Sequence, residues 1–254
     1  MKEESVSVKQ GKKALFYLIV QYQTDKIEAE RTIQMGNGNR GNIMIIKNGL
    51  VFTPEGKFEK KDLYVEGEYV AKETTDNKEV EAEGCYVIPG LVDIHFHGCV
   101  RHDMCDGTEE SIQALADYEA ANGVLAICPA TMTIPEEELF QAMKAAKEHK
   151  NGKGADLVGI NMEGPFINKE KKGAQKEEDI KLADIELFHK LQEAAGGLIK
   201  LVDLAPETEG AMDFIDQVKD EVHVSIAHTM ADYDTASEAI RRGADHITHL
   251  YNAM

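Results

Sequence analysis

The sequence is poor in basic residues. It has 28 Lys and Arg against 46 Asp and Glu, which gives a formal charge of −18 over 254 residues. Nucleic acids and anionic membrane surfaces carry charge of the same sign, so the overall field of the protein would repel both. The sequence also lacks the run of about 20 apolar residues that a membrane-crossing helix needs. These absences argue against nucleic acid or membrane as the main partner.

Cysteines are also few, and none forms a CxxC pair. In a chain of this length such spacing indicates a reducing compartment rather than a disulfide framework. Residues 14–20 form an apolar stretch, but it is short for a secretory signal and no A-x-A cleavage site follows. We therefore expect a cytoplasmic protein. The four cysteines are Cys85, Cys99, Cys105 and Cys128.

The amino-terminal part of the chain divides into two segments. Residues 1–43 have no sustained hydrophobic period and contain a Gly/Asn cluster at 36–42. Two interpretations stay open for them: an extraneous segment before a true start at Met44, or a genuine extension that is flexible or packs late. Residues 44–88 show short apolar runs of period two between turns, which is typical of a small antiparallel β unit, and we expect a small β-sandwich domain.

From residue 89 onward, apolar segments alternate with amphipathic helical segments. This βα repeat predicts an α/β domain with a parallel sheet, and the nearly continuous apolar character of the strands suits a sheet buried on both faces. The predicted strands lie at 91–96, 123–130, 156–162, 199–205, 222–228 and 246–250. The predicted helices lie at about 109–121, 135–147, 184–194, 210–219 and 232–241.

Two architectures fit such a repeat. A doubly wound sheet would have a Gly-rich phosphate loop after an early strand, and the sequence shows none. A (β/α)₈ TIM barrel takes about 250 residues, whereas residues 89–254 supply about two-thirds of that length. We therefore predict an incomplete barrel with about six of the eight βα units, so the domains are 1–43, 44–88 and 89–254.

Two histidines follow the first predicted barrel strand. His95 and His97 stand at i and i+2, so both imidazoles project from the same face of the strand. They lie at the carboxyl end of the strand, where the active sites of (β/α)₈ enzymes cluster. Two neutral imidazoles at this spacing can bind one divalent metal. We expect the nearby Asp93 to orient a histidine or to cap the strand end.

Three further strands also end in a possible metal ligand. Glu163 ends the third strand, His228 the fifth and His249 the sixth, while Asp203 on the fourth strand is a weaker additional candidate. Each residue alone is more often structural or a surface acid, but four of six strands ending in nitrogen or oxygen ligands predict a metal site. A His/Glu ligand set suits Zn²⁺ or Fe²⁺ and leaves coordination positions open for water.

These residues carry a resemblance to a known family. The motif PGLVDIHFHG at 89–98 resembles the opening signature of the amidohydrolase superfamily. The motifs MEGPF at 162–166, AHT at 227–229 and THLYNAM at 248–254 narrow the resemblance to the N-acetylglucosamine-6-phosphate deacetylase family. The similarity covers residues 44–254. It implies a TIM-barrel metal-dependent hydrolase preceded by a small β-sandwich domain.

The resemblance assigns the metal ligands. It implies that Glu163, His228 and His249 bind the primary ion, and that His95 and His97 bind a second ion in those family members that keep both histidines. One or two ions per subunit are therefore expected, with Zn²⁺ favoured and Fe²⁺ as the alternative.

The resemblance also implies contacts to the amino-sugar phosphate substrate from Ala174, Gln175, Asn252 and Ala253. The family often has His where Gln175 stands, and a glutamine can donate a hydrogen bond there but cannot supply a full positive charge. The catalytic Asp of the family is expected on the eighth strand and has no counterpart before Met254. No catalytic residue is therefore assigned, and we expect the chain as given to have little or no activity.

The implied reaction is hydrolysis of the acetamide of N-acetyl-D-glucosamine 6-phosphate to D-glucosamine 6-phosphate and acetate, by a homodimer when the protein is complete. One alternative is another amidohydrolase-superfamily amide hydrolase, although such enzymes usually have Lys rather than Glu as the shared metal ligand. A second alternative is a non-catalytic fragment that keeps the scaffold.

Overall fold

The computed structural model describes residues 17–21, 43–66, 69–72 and 78–252. Its contacts divide the chain into two compact units, residues 1–90 and residues 91–254, which are described separately below. Within the described part of the chain, no helix has the length and apolar character needed to cross a membrane.

The described residues of the first unit form one mixed six-stranded sheet. Its strands are β1 (Tyr17–Gln21), β2 (Ile43–Phe52), β3 (Phe58–Glu66), β4 (Tyr69–Ala71), β5 (Glu79–Glu81) and β6 (Cys85–Pro89). The order is β1-β6-β2-β3-β4, with β5 also paired to β2. Three pairings are antiparallel, but β2 pairs with β5 and β6 in parallel. The prediction of an antiparallel unit is wrong for these two pairings, because a period of two indicates side-chain faces and not strand direction.

Strand β2 changes partner along its length. Lys47 pairs with β5, whereas Leu50 pairs with β6. Gly49 lies at the change, where a Cβ atom would stand 2.6 Å from Cγ2 of Val87. The close approach of the two strands therefore requires glycine. The small core beneath the sheet consists of Ile46, Val51, Leu63, Val65, Ala82, Cys85 and Val87.

Part of the segment predicted as an extension belongs to this sheet. Strand β1 pairs antiparallel with β6, from Tyr17 opposite Pro89 to Gln21 opposite Cys85. Residues 1–16 and 22–42 lie outside the described residues. The start of the natural chain at Met44 stays a prediction.

The second unit has the predicted βα order. Its strands are β7 (Leu91–Asp93), β8 (Gly98–Cys99), β9 (His102–Asp103), β10 (Val124–Ile127), β11 (Asp156–Leu157), β12 (Ile160–Glu163), β13 (Ile199–Leu204), β14 (His223–Ile226) and β15 (His246–Ile247). Its helices are α1 (Glu109–Ala121), α2 (Glu136–Glu148), α3 (Ile185–Ala194), α4 (Ala211–Val218) and α5 (Tyr233–Arg242). Three short 3₁₀ helices span Met104–Asp106, Lys169–Lys171 and Glu177–Asp179.

Apart from the small antiparallel β8–β9 pair, all strand pairings in this unit are parallel. The orders are β11-β10-β7 and β12-β13-β14-β15, and an isolated bridge between Ala130 and Asn161 connects the two groups. The strands therefore follow one another in chain order, and the prediction of an α/β domain is confirmed.

The third predicted strand is divided into β11 and β12. The first part pairs with β10 and the second with β13, so the chain changes neighbour at residues 158–159. A Cβ atom on Gly159 would lie 2.5 Å from Cγ of Lys200, so glycine permits this close passage. A continuous apolar run in the sequence cannot reveal such a change of partner.

Three of the five α-helices in this unit begin at a side chain that caps them. Thr108 accepts a hydrogen bond from the backbone at the start of α1, Asp184 at α3 and Asp232 at α5. The core beneath the helices includes a cluster of three buried rings, with Phe214 5.3 Å from Phe166 and 5.5 Å from Phe188. Because Phe166 follows β12 by three residues, this burial anchors the loop that leaves the strand.

Candidate metal centre

The carboxyl ends of four parallel strands bring together the five predicted metal ligands. Glu163 is the last residue of β12, while His228 and His249 each lie two residues beyond the end of a strand. His95 and His97 follow β7. Carboxyl ends of parallel strands lie at one edge of a sheet, and here the four histidines surround the side chain of Glu163.

The two oxygens of Glu163 face different histidine pairs. Oε1 lies 2.7 Å from Nε2 of His228 and 3.0 Å from Nε2 of His249. Oε2 lies 2.9 Å from Nε2 of His97 and 3.7 Å from Nε2 of His95. The Nε2 atoms of His228 and His249 are only 3.2 Å apart. Glu163 itself is 1% exposed, so a buried anion lies at the centre of the cluster.

The hydrogen bonds at Nδ1 show that a cation fits this centre. Nδ1 of His228 lies 2.7 Å from the carbonyl oxygen of Lys171, and Nδ1 of His249 lies 2.8 Å from that of Asn252. A carbonyl only accepts hydrogen bonds, so both Nδ1 atoms carry hydrogen and both neutral rings direct an Nε2 lone pair inward. Two lone pairs beside a carboxylate repel one another unless a cation lies among them.

The second oxygen of Glu163 supports the same conclusion. Oε2 is buried, and its shortest contact is the 2.9 Å one to Nε2 of His97. A buried anionic oxygen is costly unless a donor or a cation faces it. The oxygen and nitrogen donors of this cluster are those that Zn²⁺ and Fe²⁺ accept, so the residues fit such an ion.

The pKa values follow from burial and from this clustering. Without a metal, burial raises the pKa of Glu163, but hydrogen bonds from His228, His97 and His249, in whose protonated rings Nε2 carries hydrogen, outweigh it and hold the pKa well below its usual range. The hydrogen bond to Glu163 raises the pKa of His97. Burial lowers the pKa of His95. The carboxylate is therefore ionised, and without a metal it attracts protons that a bound ion would displace.

Two of the histidines have strained backbones. The φ angles of His228 and His249 are +46° and +33°, in the left-handed region that residues other than glycine rarely adopt. Such strain persists only where neighbouring contacts hold it, and it is concentrated at functional sites.

Glu207 stabilises the turn at His228. Its carboxylate accepts hydrogen bonds from the Thr229 hydroxyl, from the Met230 backbone N–H at 2.6 Å and from Nδ2 of Asn168 at 2.8 Å. The backbone N–H of Asn168 donates to the carbonyl oxygen of His228 at 3.0 Å. Glu207 thus joins the loops that follow β12 and β14 on either side of the metal ligand.

A second buried network lies beside His249. The Thr248 hydroxyl donates to Oδ1 of Asp203 at 3.0 Å and lies 2.7 Å from the Ser225 hydroxyl. Asp203 is fully buried and pairs with Glu163 across the β12–β13 ladder. Burial and the nearby charge of Glu163 raise the pKa of Asp203 well above its usual value, which favours the protonated form of this side chain. The network fixes the end of β15 from the core side.

The other predicted residues take different positions. Asp93 accepts a hydrogen bond from the backbone N–H of His95 at 2.9 Å, so it caps the strand end. Gln175 is buried, and its Oε1 accepts from the backbone N–H of Thr133 at 2.6 Å. Ala174 is exposed, as is Asn252, whose backbone carbonyl contacts His249. Ala253 lies outside the described residues.

Sequence reasoning missed two residues that support the centre, Asn161 and Glu207. Asn161 lies two residues before Glu163, so it shares the same strand face, as His95 and His97 do. Glu207 follows the fourth predicted strand closely, as Glu163 ends the third. The strand-end criterion that selected Glu163 would have found both.

Comparison with known proteins finds similar enzymes, although no protein-family model matches the chain. The N-acetylglucosamine-6-phosphate deacetylase of Bacillus subtilis is 37% identical over 217 residues, which are 83% of this chain and 53% of that protein. The crystal structure of the Pasteurella multocida deacetylase superposes with a TM-score of 0.75 at 25% identity, covering 84% of this chain and 58% of that one. A mutant of the Mycobacterium smegmatis enzyme, solved with N-acetyl-D-glucosamine 6-phosphate, gives 0.73 at 25% identity, covering 84% and 57%.

The α/β fold and the carboxylate–imidazole centre thus define a member of the amidohydrolase superfamily. More narrowly, the chain is homologous to the N-acetylglucosamine-6-phosphate deacetylase family. It spans about half the length of the curated relatives it matches.

Proposed function

We propose that the protein to which this chain belongs hydrolyses the acetamide of N-acetyl-D-glucosamine 6-phosphate to D-glucosamine 6-phosphate and acetate in amino-sugar catabolism. The observation that carries the proposal is the pair of imidazoles whose Nδ1 atoms are bound to backbone carbonyls and whose Nε2 atoms converge on Glu163. A carboxylate rather than a lysine at this position favours the deacetylase over other amide hydrolases of the superfamily.

Glu163, His228 and His249 would hold a divalent ion, with Zn²⁺ favoured over Fe²⁺ by the tight His/Glu set. Such an ion, when bound, lowers the pKa of coordinated water and polarises a carbonyl group. The protein orients the ligands beforehand: the carbonyls of Lys171 and Asn252 fix the two rings. The general base is the Asp that the family carries on its eighth strand.

The substrate contacts proposed for Ala174, Gln175, Asn252 and Ala253 lie on two loops. Oε1 of Gln175 is occupied by the Thr133 backbone, which leaves its amide nitrogen as the donor for a phosphate oxygen. Asn252 is exposed three residues after His249, so its amide can reach a ligand held beside the metal.

The barrel closure and the β-sandwich of the family are part of the proposal. Every residue of the central strand β12 is buried, whereas Val92 on β7 is 60% exposed and Ile247 on β15 is 41% exposed. Parallel sheets are covered on both faces, so these two outer strands are where further βα units would pack. The four cysteines all lie among the described residues and form no disulfide there, which supports a reducing compartment, the cytoplasm. We also propose a homodimer for the complete protein.

A chimaera tests the proposed function. The part of the Bacillus subtilis relative that extends beyond its match would be joined to residue 254, and acetate release from N-acetyl-D-glucosamine 6-phosphate would be measured. We expect turnover in the chimaera, at least 100-fold less in its Glu163→Gln variant, and little or none in the 254-residue chain. A folded, metal-loaded chimaera that turns over another amide but not this substrate would contradict the assignment.

A further inference from the structure

Asn168 connects the loop that follows β12 to the turn at the metal ligand His228. Its backbone N–H donates to the carbonyl oxygen of His228 at 3.0 Å. Its side-chain Nδ2 donates to Oε1 of Glu207 at 2.8 Å, and the same oxygen accepts from the backbone N–H of Met230 at 2.6 Å. Asn168 is therefore linked to this turn twice, once directly and once through Glu207.

The side-chain oxygen of Asn168 begins a short helix that contacts the same histidine. It accepts from the backbone N–H of Glu170 at 2.9 Å and so caps the 3₁₀ helix Lys169–Lys171. The carbonyl oxygen of Lys171, the last residue of that helix, lies 2.7 Å from Nδ1 of His228. Asn168 thus makes the contact to the backbone of His228 and caps the helix that makes the contact to its ring.

The two ends of the Asn168 amide have different partners, and they cannot be exchanged. A backbone N–H requires an acceptor and a carboxylate requires a donor, so the oxygen faces Glu170 and the NH₂ group faces Glu207. An aspartate could still cap the helix, but it would place a second negative charge against Glu207. Asparagine is therefore suited to joining the helix start to this carboxylate.

The short helix continues into the segment proposed to contact the substrate. The backbone N–H of Gln175 donates to the carbonyl oxygen of Lys172 at 2.9 Å, and Nζ of Lys172 lies 3.4 Å from the carbonyl oxygen of Gln175. We call residues 168–175 the connecting loop. Successive hydrogen bonds along it lead from the turn at His228 to a proposed substrate contact.

The turn at His228 needs support from its neighbours. Its φ angle of +46° is one that residues other than glycine rarely adopt, and such strain persists only where surrounding contacts hold it. Loss of the contacts from Asn168 would let the turn relax and change the position of the ring. Conversely, a metal ion bound by the ring would favour the strained turn and with it the contacts to the loop. Coupling of this kind is reciprocal.

We propose that Asn168 is a positioning residue that couples metal binding at His228 to the placement of the connecting loop. Its contacts orient His228 for the ion, and through the same contacts an ion bound by His228 holds the loop, with Gln175 at its end, in place. The inference deepens the proposed function, on which its metal site and its substrate contact rest.

Hydrogen exchange of backbone amides tests the coupling in the 254-residue chain, with Zn²⁺ as the only added ligand. We expect zinc to slow the exchange of Asn168, Met230 and Gln175 by about 10-fold, a usual strength of coupling between sites. Gly56, whose N–H donates to Thr53 in an exposed turn of the first unit, is the internal control and should not change. Zinc binding that leaves Asn168 and Gln175 unchanged would overturn the proposal, while the proposed function would stand.

A variant separates positioning from a purely structural role. Asn168→Ala removes both side-chain contacts, so we expect zinc affinity to fall about 10-fold and the effect of zinc on Gln175 exchange to be lost. Met230 should keep the effect, because Glu207 still accepts from it. The matched control is Asn151→Ala, since Asn151 also uses both ends of its amide, on the backbone of Leu157.

Asn151→Ala should lower the free energy of unfolding without changing zinc affinity or the exchange of Gln175. Unchanged zinc affinity in Asn168→Ala, or equal losses of affinity in the two variants, would contradict the proposal. If Asn168→Ala does not fold, the exchange of the wild type still decides. No turnover is measured, so an inactive chain does not affect either test.

Discussion

The two sides of the Glu163 carboxylate differ in how their histidines are held. On the Oε1 side, His228 and His249 have left-handed backbones and donate through Nδ1 to backbone carbonyls. On the Oε2 side, Nδ1 of His95 lies 3.0 Å from Nδ2 of Asn161, and Nδ1 of His97 is buried. The four histidine side chains are thus held differently, because the group that contacts Nδ1 influences which ring nitrogen carries the proton.

The largest expected effect comes from removing a histidine on the Oε1 side. His249→Gln removes a ligand whose lone pair faces the centre, so we expect the zinc content to fall from one ion per chain to less than about 0.1 after dialysis. His95→Gln is the matched control, since the two side chains are similarly exposed, at 25% and 27%. It should retain about one ion. Equal losses of zinc in the two variants would show that the two sides of Glu163 do not differ in metal binding.

A smaller effect is expected from Glu207, which supports only the Oε1 side. Glu207→Gln keeps the shape but removes the charge from three hydrogen bonds, so we expect a loss of about 2 kcal/mol in unfolding free energy and about 10–100-fold in zinc affinity. Urea titration and competition with a chelator measure the two quantities. The exposed neighbour Glu209 provides the control, because Glu209→Gln should change neither. Unchanged zinc affinity in Glu207→Gln would show that the strained turn does not depend on this carboxylate.

Asp203 affects the pH dependence of stability rather than metal binding. Its pKa is raised in the folded protein, so above the unfolded value of about 3.9 the native state binds the extra proton and stability falls as pH rises. Asp203→Asn removes the ionisable group, so the stability of this variant should not fall in this way as pH rises. In metal-free protein, the stability of the variant relative to wild type should rise between about pH 4 and pH 7, by at most about 1.4 kcal/mol per unit. Parallel urea curves would contradict a protonated Asp203.

The βα repeat could be predicted from the sequence because patterns within single segments specify its helices. The predicted helix at 109–121 coincides with α1, and the other helices begin and end within a residue of their predicted limits. Apolar periodicity and capping residues such as Asp184 act within a single turn. The division of the third strand at Gly159 depends on neighbouring strands, so no local pattern reveals it.

At the candidate metal centre, too, some features follow from local sequence and others depend on neighbouring elements. The meeting of Glu163, His228 and His249 could be predicted, because parallel strands place their carboxyl ends along one edge. The histidine tautomers could not be predicted, since they depend on which group contacts Nδ1 of each ring. Nor does the sequence show that Thr133 occupies the side-chain oxygen of Gln175.

The most direct test of the account is the position of the ion itself. An anomalous difference map from a crystal of the zinc-loaded chain should show one strong peak, about 2.0–2.1 Å from Nε2 of His228 and of His249 and bound to Glu163. A main peak beside His95 and His97, with none between His228 and His249, would contradict this assignment of the primary ion.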